Sequence, residues 1–262
     1  MTPDRRLEVA VLGLGEAGGA IASGLAAAGC GVRAWDPVVT AAGAGIDRAV
    51  APTAAVTGAE LVLSLTTAAH AMDAAASVAS ALGAGQVYAD LNTAAPSLKS
   101  ELAAVIGRTD AEFADVALLG PVPTQGIRTP ALASGDGAAR FAELVRPLGM
   151  PVEIVGDRPG EAAGLKLVRS VFMKGLAAAV LESLDAAERR GADGWLRKEI
   201  ASVVGEPLLE RLVTGTVRHA ERRLAEMEAT VAYLEELGVE PRVSRATTAL
   251  LASLVEEGAR RR

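Results

Sequence analysis

The residues of this chain that could carry chemistry fall at two points far apart in the sequence. Near the amino terminus Gly13, Gly15 and Gly18 stand at G-x-G-x-x-G spacing, behind an apolar run and ahead of the alanine-rich stretch 19–28. A strand, a tight glycine turn and a helix in that order make a seat for a dinucleotide pyrophosphate. The first glycine permits the turn, the second lets the backbone approach the phosphates, and the third lets helix and strand pack together, while the helix amino end attracts negative charge. That seat comprises Gly13, Leu14, Gly15, Glu16, Ala17 and Gly18. Residues 31–35 read as a second strand, closed by Asp36 about 20 residues beyond the glycines, where a carboxylate would accept hydrogen bonds from the adenosine ribose hydroxyls. Asp36 favours NAD, because a 2′-phosphate would meet a like charge; Arg33 nearby could offset that charge and leaves NADP as the alternative. The plainer reading of Asp36-Pro37 is a strand end and turn.

The second point is Lys166. A nicotinamide enzyme that oxidises an alcohol needs a group to take the hydroxyl proton as hydride leaves carbon, and to return it in the reverse direction. Of the two histidines, His70 falls in the helical stretch after the fourth strand and His219 among Arg218, Glu221 and Arg222. Both read more simply as surface or packing residues. Lys166 instead punctuates the apolar run 162–168 near the start of a long helical stretch, and desolvation there would lower its pKa and suit it to proton transfer. At about 100° per residue, Lys166, Arg169, Ser170, Met173 and Lys174 share one broad helix face. The competing reading is a polar stripe facing solvent, with Lys166 snorkelling past its stem.

The elements that would position these groups alternate through the first part of the chain. After the first two strands, further strands are predicted at 60–65, 86–90, 112–118, 131–134 and 152–155, with helices at 69–82, 96–106 and 137–146. The expected fold class is therefore α/β, a Rossmann-type doubly wound, mostly parallel sheet. The rhythm changes at Gly156-Asp157-Arg158-Pro159-Gly160, beyond which only helical patterns appear, at 161–190, 195–204, 207–212, 216–237 and 242–257. Two domains are expected: a dinucleotide-binding domain over 1–158 and an all-helical substrate or dimerisation domain over 159–262.

Composition narrows the function classes. Half of the 262 residues are hydrophobic, which is ample for burying a core, but aromatics make up only 3% and the formal charge is −6. Base stacking and a phosphate-backbone footprint are both unsupported, so no nucleic-acid partner is expected. The lone Cys30 reads as a small buried thiol, and no metal site is expected. Arg5-Arg6 ahead of an apolar stretch mimics a secretion signal, but Asp4, Glu8 and Glu16 interrupt it, and no apolar run reaches the length of a membrane span. A soluble cytoplasmic protein is predicted. Charge runs such as Glu221-Arg222-Arg223 and Arg260-Arg261-Arg262 read as solvated faces or a frayed tail.

Four stretches together resemble the β-hydroxyacid dehydrogenase superfamily, which includes 3-hydroxyisobutyrate dehydrogenase, 6-phosphogluconate dehydrogenase and the imine reductases. They are Gly13-Leu14-Gly15-Glu16-Ala17-Gly18, Asp90-Leu91-Asn92-Thr93-Ala94-Ala95-Pro96, Phe113-Ala114-Asp115 running to Gly120, and Gly160-Glu161-Ala162-Ala163-Gly164-Leu165-Lys166. The resemblance implies that Lys166 is the catalytic acid/base and that Asn92 and Thr93 contact the cofactor, with Leu65, Thr66 and Thr67 bordering the nicotinamide end. It implies a substrate loop at Leu119 and Gly120, where this chain departs from the family's usual D-A-P-V-S-G-G, and Arg169 and Ser170 where the family has asparagines. Ser170 would hydrogen-bond substrate and Arg169 would clamp a carboxylate or phosphate. Gly120-Pro121-Val122-Pro123 and Lys166-Leu167-Val168-Arg169-Ser170 resemble a less characterised, phosphogluconate-dehydrogenase-like bacterial subgroup.

The resulting expectation is an NAD-preferring oxidoreductase that interconverts a small hydroxy acid or related polar alcohol, an anionic small-molecule substrate, with its carbonyl compound. The alternatives are imine reduction or oxidative decarboxylation on the same scaffold, or a dinucleotide-binding sensor without turnover. Retention of Lys166 speaks against a specialised imine reductase, a group that commonly places another residue there. The resemblance also implies a homodimer through the helical domain.

Overall fold

The computed structural model describes residues 6–41 and 43–260. Asp4 and Arg5 of the amino-terminal stretch and Arg261 and Arg262 of the final charge run lie outside the described residues. The chain divides into two compact units, Met1–Gly164 and Leu165–Arg262.

In the first unit the order is β1 (Glu8–Leu12), α1 (Glu16–Ala27), β2 (Gly31–Trp35), β3 (Ile46–Arg48), α2 (Pro52–Val56), β4 (Leu61–Ser64), α3 (Ala71–Val78), β5 (Val87–Asp90), α4 (Pro96–Ile106), β6 (Glu112–Leu118), α5 (Val122–Gln125), β7 (Ala131–Ser134), α6 (Ala138–Val145) and β8 (Val152–Ile154). Among the described residues these strands form one sheet in the order β3-β2-β1-β4-β5-β6-β7-β8. All pairs from β3 across to β6 are parallel; β7 runs antiparallel to β6, and β8 parallel to β7. This is the expected doubly wound, mostly parallel sheet. Strand order reverses at β1, with β2 on one side and β4 on the other, so the carboxyl ends of β1 and β4 flank the crevice where such sheets take ligands.

Side-chain alternation explains why both faces are covered. Val9, Val11, Leu61, Leu63, Val87, Ala89, Ala114 and Val116 point into one apolar cluster with Ile21 and Leu25 of α1 and Phe141 and Val145 of α6. Their neighbours Ala10, Leu12, Val62, Tyr88 and Phe113 point into another with Val56, Val78, Leu102 and Ile106 of α2, α3 and α4. Strands buried on both sides read as continuous apolar runs, which is why they were legible without a period-two pattern.

The second unit holds α7 (Glu161–Arg190) from Leu165 onward, α8 (Asp193–Val204), α9 (Glu206–Arg218), α10 (Ala220–Glu236) and α11 (Arg242–Arg260). Ala177, Val180 and Leu184 of α7 pack with Leu209 and Leu212 of α9. A β-carbon on Gly175 would stand 3.1 Å from Val243, so α7 and α11 approach closely there. The segment expected at 216–237 is divided: α9 runs on to Arg218, His219 breaks the helix, and α10 begins at Ala220. The first unit also extends past the punctuation at 156–160 into the first turn of α7, for a reason found in the site. No helix among the described residues is long and apolar enough to cross a membrane, and no cluster of three His, Cys, Asp or Glu suited to a metal occurs among them.

Candidate functional site

The three glycines of the turn have three different surroundings. Gly13 has φ +98°, and a β-carbon there would strike the Leu65 carbonyl, so the turn after β1 lies directly against the turn after β4. On Gly18 a β-carbon would strike the Gly13 carbonyl, because α1 packs tightly onto its own strand. Gly15, at the amino end of α1, would meet nothing within 4 Å. Two glycines are therefore required by the protein's own packing, and the third faces open space at a helix terminus, where unpaired N–H groups accumulate. Gly18→Ala should lower the melting temperature by several degrees, since the clash is with backbone that cannot rotate away; a melting temperature equal to the parent's would refute the packing argument.

Asp36 closes β2 as the sequence spacing required, and it is engaged. Its Oδ2 accepts the Leu14 N–H at 2.7 Å, and its Oδ1 accepts the Val38 and Val39 N–H groups, each at 2.8 Å. Burial pushes the carboxyl up, but the three backbone donors and the Arg48 guanidinium outweigh it and hold Asp36 below the ordinary carboxylate value. Each carboxylate oxygen offers two lone-pair directions, so Oδ2 keeps one for a hydroxyl donor. Asp36 thus combines the strand-end turn with a free acceptor. The cation beside it is not Arg33, whose guanidinium donates to the Ala54 and Thr57 carbonyls at the end of α2. It is Arg48 of β3, which donates to the Asp36 carbonyl.

At the carboxyl ends of β4 and β5, Asn92 is buried and its amide donates to Ser64 Oγ, Thr66 Oγ1 and Asp90 Oδ1 at 3.2, 3.3 and 2.5 Å. The amide oxygen of Asn92 is buried with no hydrogen-bond partner in the structure. Leu65 is buried between the two turns, Thr66 and Thr93 are half-buried, and Thr67 is exposed and hydrogen-bonded to His70 Nδ1 at 2.8 Å. His70 itself lies exposed in a single helical turn.

Asp90 leads into a buried network that the sequence did not reveal. Lys99 of α4 is fully buried; its Nζ lies 2.5 Å from Asp90 Oδ2 and 3.1 Å from Asp115 Oδ1. Asp115 Oδ2 accepts the Gly160 and Ala163 N–H groups at 3.1 and 3.0 Å, and Ser134 Oγ accepts the Ala162 N–H at 3.0 Å. Gly160 has no side chain with which to cap α7, so β6 and β7 cap it from a distance. Gly160 is fixed as glycine by φ +97° and by Pro96, whose carbonyl a β-carbon would meet at 2.8 Å. This tether is why the first turn of α7 belongs to the first unit. Burial pushes Lys99 down, but Asp90 and Asp115 together hold it above the ordinary lysine value.

Leu119 follows β6 and packs with Ala117, Leu132, Val155 and Ala162 in a small apolar cluster, while Gly120 lies beneath the end of the flexible Gln125 side chain, whose amide oxygen a β-carbon would displace.

In the helical unit Lys166 is half-exposed and Arg169 exposed on α7. Ser170, expected to contact substrate, is fully buried: its hydroxyl donates to the Lys166 carbonyl at 2.9 Å and lies 2.5 Å from Glu226 Oε1 of α10. Lys174 Nζ lies 2.6 Å from the same oxygen and 3.1 Å from Ser170 Oγ. Burial pushes Glu226 up, but Lys174, Lys166 and the hydrogen bonds from Lys174 and Ser170 leave it below the ordinary glutamate value. Burial also pushes Lys174 down, against the pull of Glu226 and with help from Arg223 and Arg169, to below the ordinary lysine value. Glu226 was missed in the sequence, where it reads as one more charge in an amphipathic helix. Cys30 is buried, which pushes its thiol up, and it remains the inert core residue expected.

Comparison with known proteins bears on these arrangements. Residues 8–144 match the family described as the NAD binding domain of 6-phosphogluconate dehydrogenase, and residues 187–254 match a domain of unknown function. An uncharacterised 28.5 kDa protein of Methanothermus fervidus is 28% identical over 144 residues, which is 54% of this chain; the match spans only 55% of that relative's length. A conserved hypothetical protein of Sinorhizobium meliloti 1021 has a solved structure with TM-score 0.74 and 30% identity, covering 95% of this chain and 88% of that one. In fold the chain is also similar to a 3-hydroxyisobutyrate dehydrogenase of Salmonella typhimurium, with TM-score 0.81 and 17% identity over 96% of this chain and 95% of the other. A reductive aminase of Aspergillus terreus, solved with NADPH4, cyclohexanone and allyl amine, gives TM-score 0.65 and 22% identity over 97% and 95%. The glycine turn at the sheet's switch point, Asp36 at the end of β2 and these matches over both units place the chain in the β-hydroxyacid dehydrogenase superfamily, with an NAD-binding domain of the 6-phosphogluconate dehydrogenase type.

Proposed function

We propose that the protein is an NAD-preferring dehydrogenase or reductase that interconverts a small anionic hydroxy acid, or a related polar alcohol, with its carbonyl compound, and that Lys166 is its acid/base. The observation that carries the reading is the asymmetry of the glycine turn: Gly13 and Gly18 are filled by the protein, while Gly15 opens onto space beside the α1 amino end. A dinucleotide fits there, and the buried, unpartnered Asn92 oxygen is an acceptor suited to an amide N–H of such a ligand. Gly13, Leu14, Gly15, Glu16, Ala17 and Gly18 would hold its phosphates, Asp36 its adenosine ribose, and Leu65, Thr66, Thr67, Asn92 and Thr93 its nicotinamide end. When bound, the nicotinamide supplies the hydride acceptor or donor.

The chain's own residues supply the proton. Lys166 would take it from the alcohol oxygen on oxidation and give it to the carbonyl oxygen on reduction. Arg169, exposed one turn along, would hold an anionic group, and Leu119 and Gly120 would close the apolar side of the substrate. A second copy through the helical unit is consistent with the exposure there of Phe172 (67%), Trp195 (64%) and Val203 (83%).

A second reading of the cofactor has an observation behind it. Arg48 stands beside Asp36 and could pair with a 2′-phosphate. Titration decides: NAD should bind at least about tenfold more tightly than NADP, and equal or reversed affinities would transfer the preference to NADP. Gly15→Ala should keep the parent's melting temperature and weaken NAD binding by about tenfold or more, because its methyl group occupies the phosphate space. Hydride transfer from labelled nicotinamide to a panel of β-hydroxy acids, alcohols and amines then tests the activity. Tight NAD binding with transfer to no member would favour a sensor; transfer to amines alone would favour imine chemistry.

A further inference from the structure

We propose that Asp90 is a positioning residue for the Asn92 carboxamide: it turns the amide so that the Asn92 oxygen, and not its nitrogen, is presented to the cofactor, and the site thereby selects a pyridine ring that carries an N–H donor. The proposal rests on the reading of the glycine turn as a dinucleotide seat. Ser64 and Asp90 are register partners at the carboxyl ends of β4 and β5, and Asn92 follows in the turn after β5. Its amide donates to Thr66, in the turn after β4, and a β-carbon on Gly13 would lie 3.1 Å from the Thr66 nitrogen. The carboxamide therefore sits beside the glycine turn, at the strand ends where such sheets take ligands.

A carboxamide can be turned over with almost no change of shape, so its neighbours decide which end faces which way. Ser64 and Thr66 offer hydroxyls, which can donate or accept and so tolerate either orientation. Asp90 does not. Its Oδ1, an acceptor only, lies 2.5 Å from Asn92 Nδ2, and the reversed amide would set oxygen against oxygen there. Lys99 fixes the carboxylate in turn, with Nζ 2.5 Å from Asp90 Oδ2 and donating to the Asp90 carbonyl at 2.8 Å. Asn92 is 5% exposed, and Asp90 and Lys99 are wholly buried, so water cannot relieve a wrong orientation. The cost shows at the other end of the amide. Asn92 Oδ1 is buried without a partner, although the reversed orientation would let Ser64 or Thr66 donate to it. An orphaned buried acceptor costs free energy that a ligand's donor recovers. The carboxamide N–H of a nicotinamide ring is such a donor.

Three ligands read the orientation without any turnover. NAD carries the ring amide, its 3-acetylpyridine analogue replaces that amide with a neutral ketone that only accepts, and ADP-ribose lacks the ring. Calorimetric titration of the intact protein gives each Kd. The parent should bind NAD about tenfold more tightly than the acetylpyridine analogue. In Asp90→Asn the introduced amide can turn its oxygen to Lys99 and its nitrogen to Asn92, which then reverses and presents its own N–H groups. Lys99 keeps Asp115 as its counter-charge, 3.1 Å away. The acetylpyridine analogue should now bind about fivefold more tightly than it binds the parent. The preference for NAD should vanish, since the carboxamide of NAD can turn over in response. Asn92→Leu, which removes both ends of the amide, should abolish the preference without that gain.

Loosened packing would draw both ring-bearing ligands toward the affinity of ADP-ribose and cannot tighten one of them beyond the parent, so the gain by the analogue is specific to a reversed amide. An analogue affinity in Asp90→Asn equal to the parent's or weaker overturns the proposal. Should that variant not fold, a parent that binds NAD and the analogue equally, or a preference that survives in Asn92→Leu, overturns it instead. Failure of NAD and ADP-ribose alike to bind would remove the dinucleotide seat and this inference with it; binding of both with the analogue unmoved removes only the role of Asp90.

Discussion

Lys166→Ala is expected to bind NAD within about twofold of the parent and to lower hydride transfer to any substrate of the panel by about two orders of magnitude or more. The separation follows from where the residues lie. Every group assigned to the dinucleotide belongs to the unit ending at Gly164, whereas Lys166 lies on the helical unit's part of α7. The alanine keeps the helix, since alanine is the best helix former, and Lys166 is half-exposed, so little packing is lost. What disappears is one proton carrier. Lys166→Arg sharpens the test: it keeps the positive charge but cannot give up its proton near neutral pH, so it should be as inactive as the alanine variant in alcohol oxidation. Stopped-flow or isotope-label measurement of hydride transfer, with NAD affinity measured in parallel, checks both. Full activity in Lys166→Ala removes Lys166 from the mechanism, and loss of NAD binding in step with activity would assign it a cofactor role.

How much of this was legible in the sequence depended on whether local physics or tertiary contact decided each element. The strands Gly31–Trp35, Glu112–Leu118 and Ala131–Ser134 and the helices Pro96–Ile106 and Glu161–Arg190 coincide with the expected segments, because long apolar runs and proline or glycine punctuation mark them without help. The three-residue strand Ile46–Arg48 and the short helices Pro52–Val56 and Val122–Gln125 were not expected. Each is too brief to show a period, and each exists because a neighbour completes it, as β2 does for β3. The break at His219 carries no glycine or proline, and every residue around it is compatible with a helix. Among site residues, the glycines and Asp36 were legible from spacing. Arg48, Lys99 and Glu226 were not, since each matters through a partner distant in sequence. One signal was nonetheless present for Lys99: it stands at i, with Leu102 at i+3 and Ile106 at i+7, on the stripe of α4 that turns inward. A charge on that stripe must be paired. Scarcity was another signal, for two of the four lysines, Lys99 and Lys174, lie buried in ion pairs.

That buried pairing gives the largest stability effect expected in the molecule. Lys99 is wholly enclosed between Asp90 and Asp115, and the triad as drawn has one more negative charge than positive. The excess is offset at the amino end of α7, whose Gly160 and Ala163 N–H groups point at Asp115. Lys99→Met fills nearly the same volume but leaves two carboxylates buried together without a cation, which should cost about 3–5 kcal/mol and lower the melting temperature of the first unit by roughly 10 °C at pH 7.5. Thermal melts of the two proteins side by side check it. Ser134→Ala, which removes only the cap on Ala162, should cost about 1 kcal/mol, so the two variants should separate clearly. A melting temperature in Lys99→Met equal to the parent's would mean that the enclosed carboxylates need no cation, and that the lysine serves only to fill space.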